Sequence, residues 1–552
     1  MASINMTTLP VVLDTGSTLS NDSSNSQNLN SASQAYRDSI RAYTTTQDIC
    51  NSLFPGNDLS RFELLLRQGT ERIPTQLAAD DFVTLYRFSS QGDREVKPLR
   101  SVSELHDNFN DVQSAPSASQ GTNESTMLFL RGFPAPDWIA AIGAKFQVDP
   151  CFFSGHMALP SALNDRHLTF SRPLLPSTAS NFLRLRYVSI GMRPTEDKVG
   201  QEDMNKSRRD AENKMKKYHD NLGIPKHRKA GDAIVRLYHL HNEQYFSVEQ
   251  DITICKLHTA WGWLSLVCID SGNDLSEGPE GPWRESRDYS RRSGFIPTIQ
   301  HVPGIALNYH WRSMTIPKER HLKGNFNQSA SLLVHNYGQS LDKALASVDP
   351  FYALNELYSF SAHSICQFLN LIDSIIMVET GYGFADDRKF SQLNLSYHQD
   401  ILIEQARVLQ DIIRDIESQG GSMTHSVMRQ AQTPPVDIPR SRLLTDFQEL
   451  LARTERLTQR CASGMNVVMN RAMIAESKRA ISQARKIEQL TWLASFYIPL
   501  SFMTSFFAMD LGNIRKLPLW LWFATSIPVL LLSFVGVRLL RRYFSKPLDE
   551  AG

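Results

Sequence analysis

No apolar run follows the initiator methionine of this 552-residue chain. Residues 1–35 are rich in Ser, Asn and Thr instead, a composition that suggests disorder and argues against a cleaved secretory signal. Cysteine is scarce. The six residues Cys50, Cys151, Cys255, Cys268, Cys366 and Cys461 contain no C-x-x-C pair, which suits reduced, mostly buried thiols of a cytosolic body better than a disulfide framework. Sequons such as those at Asn205 and Asn394 are then expected to stay unglycosylated. An excess of one charge is missing too: a formal net charge of +1 gives no whole-chain attraction to nucleic acid. There is no Walker phosphate loop, no HExxH and no GxSxG. Gly381-Tyr382-Gly383 lacks the third glycine and the preceding strand of a dinucleotide fingerprint. These absences leave ATP-driven transport and the familiar hydrolases without support, and neither an enzymatic activity nor a resident cofactor is expected.

What is present lies near the C-terminus. Two uncharged stretches, Gln489 to Met509 and Leu517 to Val537, are separated only by Asp510 to Lys516. At about 1.5 Å per residue each is long enough to cross a hydrocarbon core of ~30 Å, so the pattern predicts a two-helix transmembrane hairpin. Lys478, Arg479, Arg485 and Lys486 precede the first span, and Arg538, Arg541, Arg542 and Lys546 follow the second. The connecting loop carries only Arg515 and Lys516. By the positive-inside rule both termini are expected on the cytoplasmic side, making the chain a multi-pass integral membrane protein in a lipid bilayer.

The first half mixes α and β patterns. Strands are expected at Phe82–Phe88, Met127–Phe133, 182–191, Ile234–His241, Tyr245–Cys255 and Trp263–Ile269, the run at 182–191 alternating apolar and basic residues. Short helices are expected between Ala35 and Gln68, over Asp137–Phe146 with Asp137 as N-cap, and from Val148. Gln91–Asn123 suggests a long surface loop. Val199–Arg228 suggests a solvated insertion, with a basic contact surface for phosphates or lipid headgroups as the alternative. His239 and His241, followed by Cys255 and His258, fit either a metal site or polar residues on an exposed sheet face. After about Ser340 the pattern becomes helical, over Leu341–Glu379, Gln392–Ser418 and from about Arg440 to Met509. The expected fold class is an α+β cytosolic domain, a long α-helical stalk and the transmembrane hairpin. Its divisions are a disordered or variable region at 1–75, the α/β domain at 76–340, the stalk at 341–488 and the hairpin at 489–545.

Within the first span Thr491, Ala494, Ile498, Ser501, Ser505 and Ala508 recur at spacings of three and four, which puts them on one helix stripe. All but Ile498 are small or hydroxylated. Such a stripe serves close helix packing, or forms a pore wall when several copies turn it to a common axis. The remaining bulky residues, among them Trp492, Leu493, Phe496, Met503 and Phe507, suit lipid.

Leu490-Thr491, Ala494, Ile498-Pro499-Leu500-Ser501-Phe502 and Phe507-Ala508-Met509-Asp510 resemble the first transmembrane helix of the CorA-type magnesium channels, especially their fungal branch. Glu476-Ser477-Lys478-Arg479, Ile481 and Gln483-Ala484 resemble the stalk leading into it. Trp138-Ile139, Phe146, Val148-Asp149-Pro150, Phe153 and His156 resemble the family's N-terminal domain. The resemblance implies a homopentamer with a pore lined by Ile487, Leu490, Ile498, Ser501 and Ser505. It implies an outer selectivity filter of Ala508, Met509 and Asp510, with Asp510 as the metal contact, and Mg²⁺ or Zn²⁺ as the divalent cargo. The family's Gly-Met-Asn is Ala-Met-Asp here, and a ring of Asp attracts a dication more strongly than one of Asn while raising some of its own pKa values. A literal Gly464-Met465-Asn466 lies about twenty-five residues before the first span among polar stalk residues, where no filter is expected. The alternatives are a degenerate, non-conducting assembly with the same fold and, more remotely, a membrane-tethered enzyme.

Overall fold

The computed structural model describes residues 21–45, 56–68, 82–89, 94–114, 125–159, 182–193, 201–224, 227–259, 262–284, 294–300, 328–380, 388–422, 437–508 and 519–544. The chain divides into two compact units. The first comprises residues 1–381 and 394–462, and the second residues 382–393 and 463–552.

In the first unit, α1 (Asn21–Thr44), a short 3₁₀ turn (Gly56–Leu59) and α2 (Ser60–Gln68) precede the sheet. The helix α1 covers 21–35, where composition suggested disorder. Next come β1 (Val83–Phe88), β2 (Arg94–Leu99), α3 (Val102–Ser114), β3 (Ser125–Arg131), α4 (Pro136–Phe146) and α5 (Pro150–Met157). The expected loop at 91–123 therefore holds a strand and a helix. Sparse apolar residues hid them: β2 is an edge strand with only Leu99 buried, and α3 buries only Leu105, Asn108 and Phe109 among its described side chains. Asp137 is not the N-cap of α4. Ala135 holds that position with Pro136 at the first turn, and Asp137 pairs with Arg37 of α1. Asp149 does cap α5, accepting from the Cys151 amide at 2.8 Å.

β4 (Phe182–Met192) leads to α6 (Gln201–Gly223). This helix corrects the reading of a solvated insertion, because Met204, Ala211, Met215, Tyr218 and Leu222 are buried along one face while its lysines stay outside. β5 (Leu237–Leu240), β6 (Tyr245–Thr259), β7 (Gly262–Ile269) and β8 (Gly294–Phe295) complete an eight-stranded sheet in the order β2-β1-β3-β7-β6-β4-β8, with β5 paired to β6. All its pairings are antiparallel except β3 with β7. That central position explains why every residue of β3 is buried: helices and loops cover both faces. One face forms an apolar core of Val83, Leu85, Leu128, Leu130, Cys255, Leu264, Leu266 and Cys268 against Trp138, Ile139, Ile142, Phe152 and Phe153.

The sequence expected one helix over Leu341–Glu379; the structure has three there, preceded by α7 (Ser329–Asn336). They are α8 (Lys343–Val348), α9 (Pro350–Ala353) and α10 (Asn355–Thr380). Asp342 caps α8 through the amides of Ala344 and Leu345, and Asp349, held extended before Pro350, caps α9. α10 packs on β4, with Phe360 edge-on to Tyr187 at 5.6 Å. The later helices are α11 (Arg388–Ser422), α12 (Asp437–Ala508) and α13 (Leu519–Phe544). α12 runs unbroken for 72 residues, through both Gly464-Met465-Asn466 and Pro499.

Candidate functional site: one face of α12

Ile487, Leu490, Ile498, Ser501, Ser505 and Ala508 all lie within the regular part of α12. At about 100° per residue they fall within an arc of about 80° on the helix circumference. All six are exposed, Ile487 at 65 %, Leu490 at 67 % and Ile498 at 68 %. Met509 and Asp510 lie outside the described residues.

The opposite face belongs to α13. Trp492 meets Phe534 edge-on at 4.8 Å, and the Ser533 hydroxyl donates to the Ser495 carbonyl at 3.2 Å. Ser495, Pro499, Met503 and Phe507 are half-buried on the same side of α12 as these contacts, about 160° round from the stripe. Of the bulky residues assigned to lipid, Trp492 therefore packs on α13. Sequence spacing alone separated stripe from bulk, but only the contacts show which bulky positions have a protein neighbour.

The hydroxyls of the segment fall into two groups. Thr491, Ser495 and Thr504 donate back to the carbonyls of Ile487, Thr491 and Leu500 at 2.7–2.8 Å. Those of Ser501 and Ser505 have no partner among the described residues. They are exposed hydroxyls that do not bond back to the helix, free to hydrogen-bond water or a hydrated ion.

Among the described residues three helices are long and apolar enough to cross a membrane, one more than expected. The additional one is α10, and half of its most apolar stretch is buried inside the protein. The corresponding stretches of α12 and α13 are each only 6 % buried. A helix apolar on nearly all sides suits burial in a folded body as well as in lipid, so composition alone does not distinguish the two.

The first unit holds a second polar constellation. His239 bonds Glu249 at 3.1 Å, while His241 is fully buried and stacked on His398, with Nδ1 to Nε2 at 3.3 Å. The Nδ1–H of His398 donates to the Asn394 carbonyl, so its Nε2 accepts from His241. The Ser247 hydroxyl then donates to Nε2 of His241 at 2.8 Å. Cys255 lies away from them in the apolar core, and the His258 side chain is outside the described residues. No group of three or more metal-ligating side chains occurs among the described residues. The metal reading is thus unsupported, and the exposed-face reading fails for His241. His398 was invisible as its partner because it lies 157 positions away on a different element.

Beside this pair is a buried ion cluster. Arg236 bonds Asp270 through two nitrogens at 2.7 and 2.9 Å, and Arg186 reaches Asp251 at 3.1 Å and Glu249 at 3.0 Å. Burial alone would raise the pKa of Asp251, but Arg186, Arg236 and Arg184 pull it down to about 2. Arg184 and Arg186 on β4 and Glu249 and Asp251 on β6 each recur with period two, and the register sets Arg186 opposite Asp251, with Arg184 and Glu249 one same-face position to either side. That shared period was the sequence signal for the cluster.

No family model and no curated protein matches the chain. Among solved structures it is similar to the complete structure of the CorA magnesium transporter from Methanocaldococcus jannaschii, at 11 % identity and a TM-score of 0.31. That likeness covers 83 % of this chain and 97 % of the other. It is also similar to the full-length CmaX protein, at 12 % identity and a TM-score of 0.35, over 84 % of this chain and 99 % of that one.

Proposed function

We propose that the chain is a CorA-like channel or transporter for divalent cations, Mg²⁺ in the first place and Zn²⁺ in the second. In this reading α12 and α13 are two membrane spans with both termini cytoplasmic, and five copies surround one pore. The observation that carries it is the exposed arc of Ile487, Leu490, Ile498, Ser501, Ser505 and Ala508, turned away from α13. The second hairpin helix leaves that face free for copies of the same helix.

Facing a common axis, Ser501 and Ser505 supply rings of neutral oxygens to a hydrated ion. Such an ion suits Mg²⁺, which sheds water reluctantly. Ile487, Leu490 and Ile498 form apolar constrictions that close the path by dewetting. Ala508, Met509 and Asp510 make the outer filter, with Asp510 attracting the cation and Arg515 and Lys516 partly opposing it. An inside-negative potential contributes about 2.3 kcal/mol per charge per 100 mV, twice that for a dication, so the transport needs no nucleotide.

Two measurements test the reading. The purified protein is expected to contain five copies, counted by mass in detergent. In liposomes with an inside-negative potential it is expected to take up Mg²⁺, with uptake slowed by Asp510→Ala and changed in selectivity by Asp510→Asn. A different stoichiometry excludes the pentamer. No uptake by the parent and indifference to both substitutions favours the non-conducting assembly.

A further inference from the structure

We infer that the inner end of the hairpin carries a binding site for anionic phospholipid, with a cationic collar for the headgroup and an aromatic groove for the chains. The inference rests on the two-span reading of α12 and α13, but not on conduction.

Four exposed cations, Lys478, Arg479, Arg485 and Lys486, occupy the turns of α12 just before its apolar segment. Two contacts set the level of α13 beside them. Because Trp492 meets Phe534 and Ser495 meets Ser533 in an antiparallel pair, Arg538 lies at the level of Glu488. The positions of Arg541 and Arg542 follow one turn further on, level with Arg485 and Lys486. Between 477 and 488 Glu488 is the only acid, and between 534 and 544 there is none. Lys478, Arg479, Arg485, Lys486 and Arg538 have no ion-pair partner among the described residues.

Their placement round the helix matters more than their number. All four cations of α12 fall outside the arc of Ile487 to Ala508, and Arg485 and Lys486 share a face with Trp492, Leu493 and Phe496. Those three apolar side chains are 46, 58 and 53 % exposed. With Glu488 and Gln489 they line an open groove of about 510 Å³. Positive charge directly above an exposed aromatic groove complements a molecule with an anionic head and apolar tails. A free phosphate would leave the groove unfilled, and a nucleic acid would leave it in contact with water. Cations on the stripe itself would oppose a dication; on the outer face they meet headgroups instead. Glu488 at the groove's rim is the one opposing charge.

The test uses the full-length protein in neutral detergent, with dioleoylphosphatidylglycerol or dioleoylphosphatidylcholine added at equal concentration and retained lipid counted by native mass spectrometry. Phosphatidylglycerol is expected to be retained preferentially and to be lost as salt is raised. Retention should fall roughly fivefold for each cation removed in Arg485→Gln, Lys486→Gln and Arg538→Gln. Phe496→Ala should weaken both lipids, whereas Arg485→Lys with Arg538→Lys should keep the preference. A control with Lys206, Lys216 and Lys217 of α6 changed to Gln should retain lipid as the parent does. Equal retention of the two lipids by the parent, or equal loss in the α6 control, overturns the site. A protein that retains phosphatidylglycerol but takes up no Mg²⁺ would overturn the channel and leave this site standing.

Discussion

The Ser533 hydroxyl of α13 donates to the Ser495 carbonyl at 3.2 Å. That carbonyl is the one Pro499, four residues later and without an N–H, leaves with no helical donor. In lipid an unpaired carbonyl is costly, so this bond lets α12 keep its proline and ties it to α13.

Ser533→Ala is therefore expected to weaken the hairpin by about 0.6–1.7 kcal/mol, the range of hydrogen bonds between membrane helices. In a Pro499→Ala background, where the helix supplies its own donor, the same change should cost almost nothing. A double-mutant cycle on denaturant unfolding in mixed micelles measures the coupling. Equal losses in the two backgrounds would show that Ser533 acts elsewhere.

Arg236 is held in the interior of the first unit by Asp270 and by the carbonyls of His156 and Ala158. Arg236→Leu leaves the buried Asp270 carboxylate without its guanidinium partner, and is expected to cost about 3–5 kcal/mol of stability. Arg236→Leu combined with Asp270→Leu should recover much of that loss. Thermal unfolding of the variants checks both outcomes.

Acid should destabilise the first unit through the stacked histidines. Burial and the neighbouring Arg208 push His398 down to about 3, and burial and His398 hold His241 well below its ordinary value. Between pH 6.5 and about 3 the unfolded chain binds protons that the folded unit refuses, so stability is full above pH 6.5 and falls as pH drops. Lowering the pH to 5 should cost about 2 kcal/mol through His398, with His241 adding in the same direction. His156 and His219 are lowered too and share this sign, so the parent's slope belongs to several groups. The reduced slope in His398→Leu isolates its share, and an unchanged slope would contradict the assignment.

A bulky side chain on the stripe should close the path. Ser505→Trp is expected to abolish Mg²⁺ uptake while leaving the assembly intact by size. Phe506→Trp, about 100° further round the helix, should leave most of the uptake. Flux assays in liposomes separate the two.

Most of the β-strands and the two apolar helices near the C-terminus were legible because their signals are local: alternation in β4, an unbroken apolar run in β3 and uncharged stretches in α12 and α13. The stripe was legible too, since Ile498, Ser501 and Ser505 recur at helical spacing. Elements stabilised by a few long-range contacts were not. β2 exposes four of its six residues, α3 buries only Leu105, Asn108 and Phe109 among its described side chains, and the buried face of α6 amounts to single apolar residues among many charges. Likewise, nothing in the spacing of His239 and His241 pointed to His398, which the fold brings to them from α11.

Cysteine accessibility along α12 tests the central claim most directly. In a background lacking the six native cysteines, single cysteines at 494 to 508 are treated with a charged, membrane-impermeant thiol reagent in the reconstituted protein. The account predicts labelling at Ala494, Ile498, Ser501 and Ser505, slowed by Mg²⁺, and little at Ser495, Pro499 and Met503. Labelling confined to the face towards α13, or equal on all faces and indifferent to Mg²⁺, would contradict a water-filled cation path along this stripe.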